Sequence, residues 1–163
     1  MDRARRHSAK SKVAKAILKQ FSVRYPSTTE LFDWKSKIEV VEEGSSRLFF
    51  VNNHPLILQV EEEVYPTLIF KEVLECLPRL TVDMGAIPHV CQGADVMAPG
   101  VRGIVGTFKI GDVVTVVDEA HGKIVALGRA LVDSQEISSM HRGKIAKNVH
   151  FVGDDIWKLI RES

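Results

Sequence analysis

The second half of the chain consists of short apolar runs, each bounded by glycine or proline. The predicted strands lie at residues 80–82, 96–98, 112–117, 124–132, 149–152 and 156–159. Residues 119–122 join two of them in a pattern typical of a β-hairpin. Short helices are predicted at 86–91, before Gly93, and from Asp133, with Asp133 or Ser134 as the N-cap. Many short strands with glycine turns favour a small, mostly β barrel.

The first half combines one amphipathic helix with β-structure. From Ser8 onward, apolar residues recur with the 3.6-residue period of a helix, while Lys12, Lys15 and Lys19 share another face. The apolar positions are Val13, Ala14, Ile17, Leu18 and Phe21. The residues before this helix are polar and basic, and we expect residues 1–7 to be disordered when alone.

Two apolar runs, at residues 48–51 and 56–58, are separated by an Asn-Asn-His-Pro sequence that predicts a hairpin turn. The three glutamates at 61–63 are expected in a solvated loop. A further helix is expected after residue 67 and ends before Pro78, because proline disfavours helix in the residue before it. The chain is therefore predicted to be an α+β protein with a first domain at residues 1–78 and a second at 79–163.

Charge is segregated along the chain although the formal net charge is only +1. Residues 1–37 contain 10 Lys+Arg against 3 Asp+Glu, residues 38–78 contain 2 against 8, and residues 79–163 contain 10 against 10. Two blocks of opposite sign suggest two surfaces with different partners. The alternative, that the blocks attract each other within the fold, stays open.

The basic block has two interpretations. Its lysines can form the solvated face of an ordinary surface helix. Together with Arg3, Arg5, Arg6 and Lys10, they can instead form an arm that contacts phosphates. The sequence alone leaves both interpretations open.

Four motifs of the second half occur in an order typical of one known domain. The run GAIPHVCQGADVMAPGV at 85–101 is followed by IGDVV at 110–114, ALGRA at 126–130 and RGKIA at 142–146. Together they resemble a PUA domain over about residues 79–160. The first half also has YPTL at 65–68 and TVDMGAIP at 81–88, so the whole chain resembles the two-domain malignant T-cell amplified protein family, which includes archaeal members and ligatin.

This resemblance implies a small N-terminal α/β domain followed by a PUA pseudo-barrel that binds structured RNA. It implies a role on the ribosome or with tRNA in translation initiation or re-initiation. By their positions in the motif, the expected RNA-binding residues are Gly93, Ala94, Asp95, Val96, Met97, Pro99 and Gly100. Lys158, in an expected last strand with Trp157, and Lys12 and Lys15 of the basic helix are added to this set.

Within the motif, glycines allow close approach of a sugar–phosphate chain, and Val96 and Met97 can form an apolar ledge under a base or ribose. Both glycines can equally be turn residues, and Met97 can be a core residue. Asp95 is an unusual residue at a phosphate site, and it can cap a backbone group or accept from a base amino group.

No pattern of a catalytic or metal site is present in the sequence. The glycine-rich run at 100–106 lacks the Gly-Lys-Ser/Thr ending of a phosphate loop and is interpreted as a turn-rich connection. The six histidines lack HExxH spacing, and the two cysteines lack CxxC spacing. We therefore expect a cytoplasmic protein that needs no cofactor and is not an enzyme.

Two functional hypotheses follow. In the first, the protein binds tRNA or rRNA on the translation machinery, with the small ribosomal subunit or a protein partner contacting the acidic region 38–78. In the second, it is an accessory subunit that presents RNA to a separate modification enzyme.

Overall fold

A computed structural model describes residues 5–33 and 35–163, and the chain divides into two compact units, Met1–Val73 and Leu74–Ser163. The expected domain division at residue 78 stays a prediction. In the described part of the chain, no helix is long and apolar enough to cross a membrane.

The first unit is a five-stranded antiparallel sheet with one long helix. Its strands run in the spatial order β1-β2-β3-β4-β5. They are β1 (His7–Ser8), β2 (Ile38–Glu43), β3 (Ser46–Val51), β4 (His54–Val60) and β5 (Glu63–Pro66). Helix α1 spans Ser11–Arg24 and is followed by a 3-10 turn at Pro26–Thr28. This unit ends within helix α2 (Lys71–Leu74).

Helix α1 packs through the face that the apolar period predicts. Ile17 and Phe21 are buried, whereas Lys12, Lys15 and Lys19 are exposed. At the end of the helix the buried Tyr25 donates its hydroxyl to the carbonyl of Val64, at 3.0 Å. The expected helix and its basic face are therefore confirmed, with the helix beginning at Ser11 and not at Ser8.

The expected hairpin between β3 and β4 is present. Asn52 and Asn53 both have positive φ, of 50° and 71°, and form a two-residue turn that suits the twist of the flanking strands. Successive hairpin turns lie at alternate ends of an antiparallel sheet. The turn after Glu43 and the turn at residues 61–62 are therefore at the same end, so most of the acidic block is gathered there.

Three expectations for this unit are wrong. His7 lies in a strand that pairs with Val40, so the first seven residues are not all disordered. Glu63 begins strand β5 and does not belong to a loop. The helix expected after residue 67 is only the single turn α2. Thr67 remains attached to the sheet, because its hydroxyl donates to the carbonyl of Pro55 in β4.

The second unit is built on a six-stranded sheet in the order β7-β11-β10-β9-β6-β8. Its strands are β6 (Arg79–Val82), β7 (Val96–Met97), β8 (Val101–Val105), β9 (Val113–Asp118), β10 (Ile124–Ala130) and β11 (Lys144–Phe151). The helices are α3 (Ile87–Val90) and α4 (Asp155–Glu162), with 3-10 turns at Ala98–Gly100 and Ser134–Ser139. Only the β6–β9 pair is parallel.

The order of these strands requires the sheet to curl. Strands β7 and β8 lie at opposite edges, yet only the 3-10 turn Ala98–Gly100 joins them. A flat six-stranded sheet is about 24 Å wide. A three-residue connection spans at most about 14 Å between its flanking residues. The two edges must therefore approach each other, which gives the expected pseudo-barrel.

The concave side of this sheet contains the core of the second unit. Leu80, Val82, Val114, Ala126 and Ile145 are fully or almost fully buried there. These residues come from four different strands, β6, β9, β10 and β11, and all are aliphatic, as expected for strands that face a closed interior. The α+β fold class predicted from the sequence is confirmed.

Two elements of the second unit differ from expectation. Residues 101–105 form strand β8, which pairs with β6, and not a turn-rich connection. The run at 156–159 belongs to helix α4, and not to a last strand. Asp154 is the N-cap of this helix and accepts the backbone N–H of Trp157, and Ile156 and Ile160 are buried one turn apart. The short helix before residue 140 is confirmed, although the side chain of Asp133 accepts from Ile110 and does not cap it.

Candidate nucleic-acid interface

A pocket of about 450 Å³ lies in the second unit, between α3, β7 and the 3-10 turn that follows β7. Its lining residues are Val82, Asp83, Gly85, Ala86, His89, Val90, Ala94, Asp95, Val96, Met97, Pro99 and Gly100. Most of them come from the sequence motif at 85–101. We call this cavity the α3–β7 pocket.

Asp83 fixes one side of the pocket. Its Oδ1 accepts the backbone N–H of Ala86 at 2.7 Å, which holds the turn that leads into α3. Its Oδ2 accepts from the guanidinium of Arg102 at 2.8 Å. Arg102 also donates to the carbonyl of Pro99, at 2.8 Å. One carboxylate and one guanidinium therefore join the start of α3 to the turn before β8.

Asp95 fixes the opposite side. Its Oδ1 accepts the backbone N–H of Asn148 at 2.9 Å, and its Oδ2 lies 3.0 Å from Nζ of Lys144. The side-chain amide of Asn148 donates to the carbonyls of Val90 and Ala94, at 2.9 and 3.0 Å. The loop between α3 and β7 is thus attached to β11 at three points. Of the two roles considered for Asp95, the structure shows backbone capping.

The charge of Asp95 is stabilised by these contacts. Partial burial raises the pKa of this carboxyl group, but the N–H of Asn148 and the ammonium group of Lys144 outweigh the burial. The net pKa of Asp95 is below its ordinary value, so the group is ionised at neutral pH. The negative charge of Asp95 at this side of the pocket is therefore paired with the positive charge of Lys144.

The walls between these two pairs are largely apolar. Val82, Val90 and Val96 are buried and contribute their side chains to the pocket, whereas Met97 is 44% exposed at its edge. An apolar pocket with carboxylates at two sides can hold a flat ring and accept hydrogen bonds from amino or hydroxyl groups. The side chains of Arg102 and Lys144, which pair with these carboxylates, are half or more exposed.

Six of the seven expected motif residues line this pocket. They are Ala94, Asp95, Val96, Met97, Pro99 and Gly100. Gly93 is not among the lining residues. It has φ of +96° and closes the end of α3, and a Cβ there would lie 3.4 Å from the ring of Phe151. Gly93 is therefore a turn residue, the alternative considered from the sequence.

The other expected contact residues lie elsewhere. Lys158 is exposed on helix α4, not on a strand, and does not line the pocket. Lys12 and Lys15 belong to the first unit, on the exposed face of α1. The structure thus brings together the motif residues, and these three lysines stay predictions.

One arginine of the expected basic arm, Arg6, has partners within the fold. Arg6 donates to Glu39 at 2.8 Å, and its guanidinium lies 4.1 Å from the ring centroid of Phe50. The Arg6 hydrogen bond, ahead of the opposing effect of burial, lowers the pKa of Glu39. Arg6 therefore attaches the N-terminal segment to the sheet. Arg3, another member of the expected arm, lies outside the described residues.

Sequence reasoning did not select four residues that shape the pocket. They are Asp83, Arg102, Lys144 and Asn148. Asp83 and Lys144 occur within the motifs at 81–88 and 142–146, so the motif pattern was a usable signal for them. Nothing in the sequence marks Asn148, which is 53 residues from Asp95.

No group of three or more metal-ligating side chains occurs among residues 5–33 and 35–163.

Two family models match the chain. The PUA domain matches residues 78–152, and a domain of unknown function, DUF1947, matches residues 5–71. The α3–β7 pocket lies wholly within the PUA match.

Several relatives match nearly the whole chain. An uncharacterized protein of Methanocaldococcus jannaschii is 36% identical over 160 residues, which is 96% of this chain and 98% of that protein. Translation machinery-associated protein 20 of Saccharomyces cerevisiae is 27% identical, covering 93% of this chain and 91% of that protein. Malignant T-cell-amplified sequence 1 of Rattus norvegicus is 26% identical, covering 88% and 82%.

The fold is also that of a solved structure. A hypothetical protein from Pyrococcus horikoshii superposes with a TM-score of 0.78 and 31% identity, over 96% of this chain and 99% of that one. The similarity therefore extends over both units of the chain.

Proposed function

The chain belongs to the family of two-domain proteins in which a DUF1947 region precedes a PUA domain, and from this we propose that it is an RNA-binding protein of the translation machinery. The resemblance stated from the sequence motifs is confirmed at the level of the family. The activity is our inference from the α3–β7 pocket.

The observation that carries the proposal is the pairing of charge and apolar surface at this pocket. Asp83 and Asp95 are each held by a backbone N–H and by one cation, and aliphatic side chains lie between them. RNA recognition outside duplexes relies on splayed bases that are packed against side chains and hydrogen-bonded at their edges. A base or ribose in the pocket would meet acceptors for its amino and hydroxyl groups.

Cations outside the pocket suit the phosphates of the same RNA. Lys144 and Lys147 are both exposed on β11, and Arg102 lies at the opposite side of the pocket. Phosphate contacts supply most of the sequence-independent affinity of such complexes. Ala94, Asp95, Val96, Met97, Pro99 and Gly100 are proposed as the residues that contact the nucleoside, with Gly93 holding the turn.

The proposed place of action is the ribosome or its tRNA. Two relatives over most of the chain have names that refer to translation machinery or belong to the family recognised from the motifs. We infer that the RNA is tRNA or rRNA of the small subunit. The acidic end of the first unit, with Glu42, Glu43 and Glu61–Glu63, is proposed as the surface for a protein partner.

The test is binding of tRNA and of rRNA fragments to the full chain at several salt concentrations. Lys144→Ala is expected to weaken binding and to reduce the slope of log affinity against log salt by about 1. Lys123→Ala removes an exposed lysine from the β9–β10 turn and serves as the matched control. Equal affinities of both variants and the wild type would contradict RNA binding at this pocket.

A separate experiment, sedimentation of the tagged protein from cells, addresses the second hypothesis, an accessory subunit of a modification enzyme. Sedimentation of the tagged protein from cells with small ribosomal subunits supports the translation role. Recovery with an RNA-modification enzyme and not with ribosomal subunits would favour the accessory role instead.

A further inference from the structure

A second groove, in the first unit and outside the PUA match, has a different construction from the α3–β7 pocket. It has a volume of about 220 Å³ and is lined by Lys15, Leu18, Lys19 and Ser22 of α1 and by Phe32 and Asp33. We call it the α1 groove, and we propose that it binds one unstacked base and the adjoining phosphates of a single-stranded RNA.

The cations of the groove lie on one face of one helix. Lys15 and Lys19 are four residues apart, and Ser22 is three residues further, so their side chains project in the same direction. Ile17 and Phe21 anchor the opposite side of α1 in the core, which fixes the rotation of the helix. The two ammonium groups and the hydroxyl are therefore presented together along the groove.

The aromatic wall of the groove is held in a fixed orientation. Phe32 makes edge contacts with Phe21 and Phe70, at centroid distances of 5.9 and 6.0 Å and interplanar angles of 69° and 63°. Phe21 and Phe70 are themselves stacked at 5.6 Å. Unlike these two rings, Phe32 is only half-buried. A base can stack on its remaining surface without any movement of the core.

The lysines of this helix are available for an external anion. Lys12, Lys15 and Lys19 form no ion pair with any residue in the described ranges. Arg6, by contrast, is engaged with Glu39 and Phe50. Unlike Arg6, the exposed lysines of α1 are therefore free to contact a phosphate.

Single-stranded RNA is the occupant that fits both features. Binding without sequence preference combines cations that follow the backbone with aromatic rings on which bases stack. A duplex offers its phosphates but no free base face, and an acidic peptide offers charge but no ring for Phe32. Asp33 at the groove can accept from a base amino group or a 2′-hydroxyl, which also disfavours a purely anionic ligand.

This contact goes beyond the proposed function and does not depend on it. The α3–β7 pocket belongs to the PUA domain, whereas the α1 groove lies within residues 15–33 of the DUF1947 match. Either site can be removed by substitution while the other is tested.

The test measures binding of a fluorescent oligouridine to the full chain. The double variant Lys15→Ala/Lys19→Ala is expected to reduce the slope of log affinity against log salt by about 1.4, since each phosphate contact on a single strand contributes about 0.7. Phe32→Leu keeps an apolar side chain but removes the ring, and it is expected to weaken binding about 5- to 150-fold with an unchanged slope. Lys123→Ala is the control.

A second measurement covers the case in which Phe32→Leu does not fold. Wild-type chain is photo-cross-linked to a 4-thiouridine oligonucleotide, and the peptides are identified by mass spectrometry. A cross-link within residues 15–33 that persists in Lys144→Ala is expected. Cross-links confined to residues 74–163, an unchanged slope in the double lysine variant, or equal displacement by oligoglutamate of the same charge would overturn the proposal.

Discussion

The carboxylate of Asp95 accepts the backbone N–H of Asn148 at 2.9 Å and so joins the loop after α3 to strand β11. The bond forms beside a register break, where Gly128 pairs with Asn148 but Leu127 pairs with His150. Ala146, two residues earlier, pairs with Val96 of β7, so strand alternation directs the Asn148 N–H to the same side, toward Asp95. This hydrogen bond therefore shapes one side of the α3–β7 pocket.

Two substitutions at Asp95 are expected to have opposite effects on RNA affinity. Asp95→Ala leaves the Asn148 N–H without its acceptor, so unfolding free energy falls by about 1 kcal/mol, and RNA binding weakens as the loop loosens. Asp95→Asn keeps an acceptor but releases Lys144 from its ion pair. Affinity is then expected to rise about two- to fivefold, the effect of one surface charge. Urea denaturation and RNA titration measure both effects.

The two variants are compared at the same salt concentration, because the expected gain is electrostatic. A loss of affinity in Asp95→Asn as large as in Asp95→Ala would mean that the negative charge itself contributes to binding.

Asp154 is expected to govern the acid stability of the second unit. It accepts from Trp157 and Phe151 and from Nδ1 of the fully buried His150. Burial raises the pKa of Asp154, but the hydrogen bond from His150 and the backbone N–H groups lower it below its ordinary value. A carboxyl group with a lowered folded-state pKa stabilises the fold fully above its unfolded pKa of about 3.9, and this stability is lost as pH falls through the folded pKa.

Asp154→Ala is therefore expected to lower the unfolding free energy by about 2–3 kcal/mol at pH 7, through loss of the helix cap and of the histidine's partner. Asp154→Asn retains a good cap and is expected to cost less. Urea denaturation between pH 7 and pH 3 measures both. The difference between wild type and Asp154→Ala should shrink toward pH 3, and a constant difference over this range would show that the charge is not involved.

Gly128 is expected to tolerate no side chain. A Cβ at this position would lie 3.2 Å from Cβ of Ala146 and 3.2 Å from the carbonyl oxygen of Lys147. Gly128→Ala is expected to lower the unfolding free energy by about 1–3 kcal/mol, the usual cost of overpacking. Gly103→Ala is the matched control, since its Cβ would have an ordinary contact of 3.8 Å with Thr81. Similar thermal midpoints for the two variants would contradict this packing.

Arg6 is expected to act on stability and not on RNA binding. Its guanidinium contacts both Glu39 and the ring of Phe50. Arg6→Ala should lower the thermal midpoint of unfolding, while the slope of log RNA affinity against log salt stays as in the wild type. A reduced slope in Arg6→Ala would contradict this prediction and would indicate that Arg6 contacts a phosphate.

The sequence was sufficient to predict the elements whose signals are local. The Asn-Asn turn, the period of α1 and the hairpin around residue 121 all depend on neighbouring residues, and all are present. The motif at 85–101 also contains ten of the twelve residues that line the α3–β7 pocket, because that pocket is built mainly from one continuous segment.

The errors occurred where a short apolar run is compatible with two structures. Four residues at 156–159 do not distinguish strand from helix, and the deciding feature is the cap formed by Asp154. The run at 101–105 contains a glycine, and its side chains are only partly buried, so it lacks the local sequence pattern of a strand although it pairs with β6. Tertiary pairing decides such segments.

Contacts between distant parts of the chain were not accessible from the sequence. The bonds from Asn148 to Val90, Ala94 and Asp95 depend on the pairing of β11 beside β7, which brings Asn148 to the α3–β7 loop. Unless the strand register of β11 is known, the sequence does not distinguish Asn148 from any other asparagine as the residue that binds this loop.

NMR can test whether RNA binds at the α3–β7 pocket. Amide spectra of the isotope-labelled full chain are recorded during titration with unlabelled tRNA and with a small-subunit rRNA fragment. We predict that with at least one RNA the largest shifts occur at Ala94, Asp95, Met97 and Gly100, and that they are reduced in Lys144→Ala. Shifts that leave these four amides unchanged while others move would contradict RNA binding at this pocket.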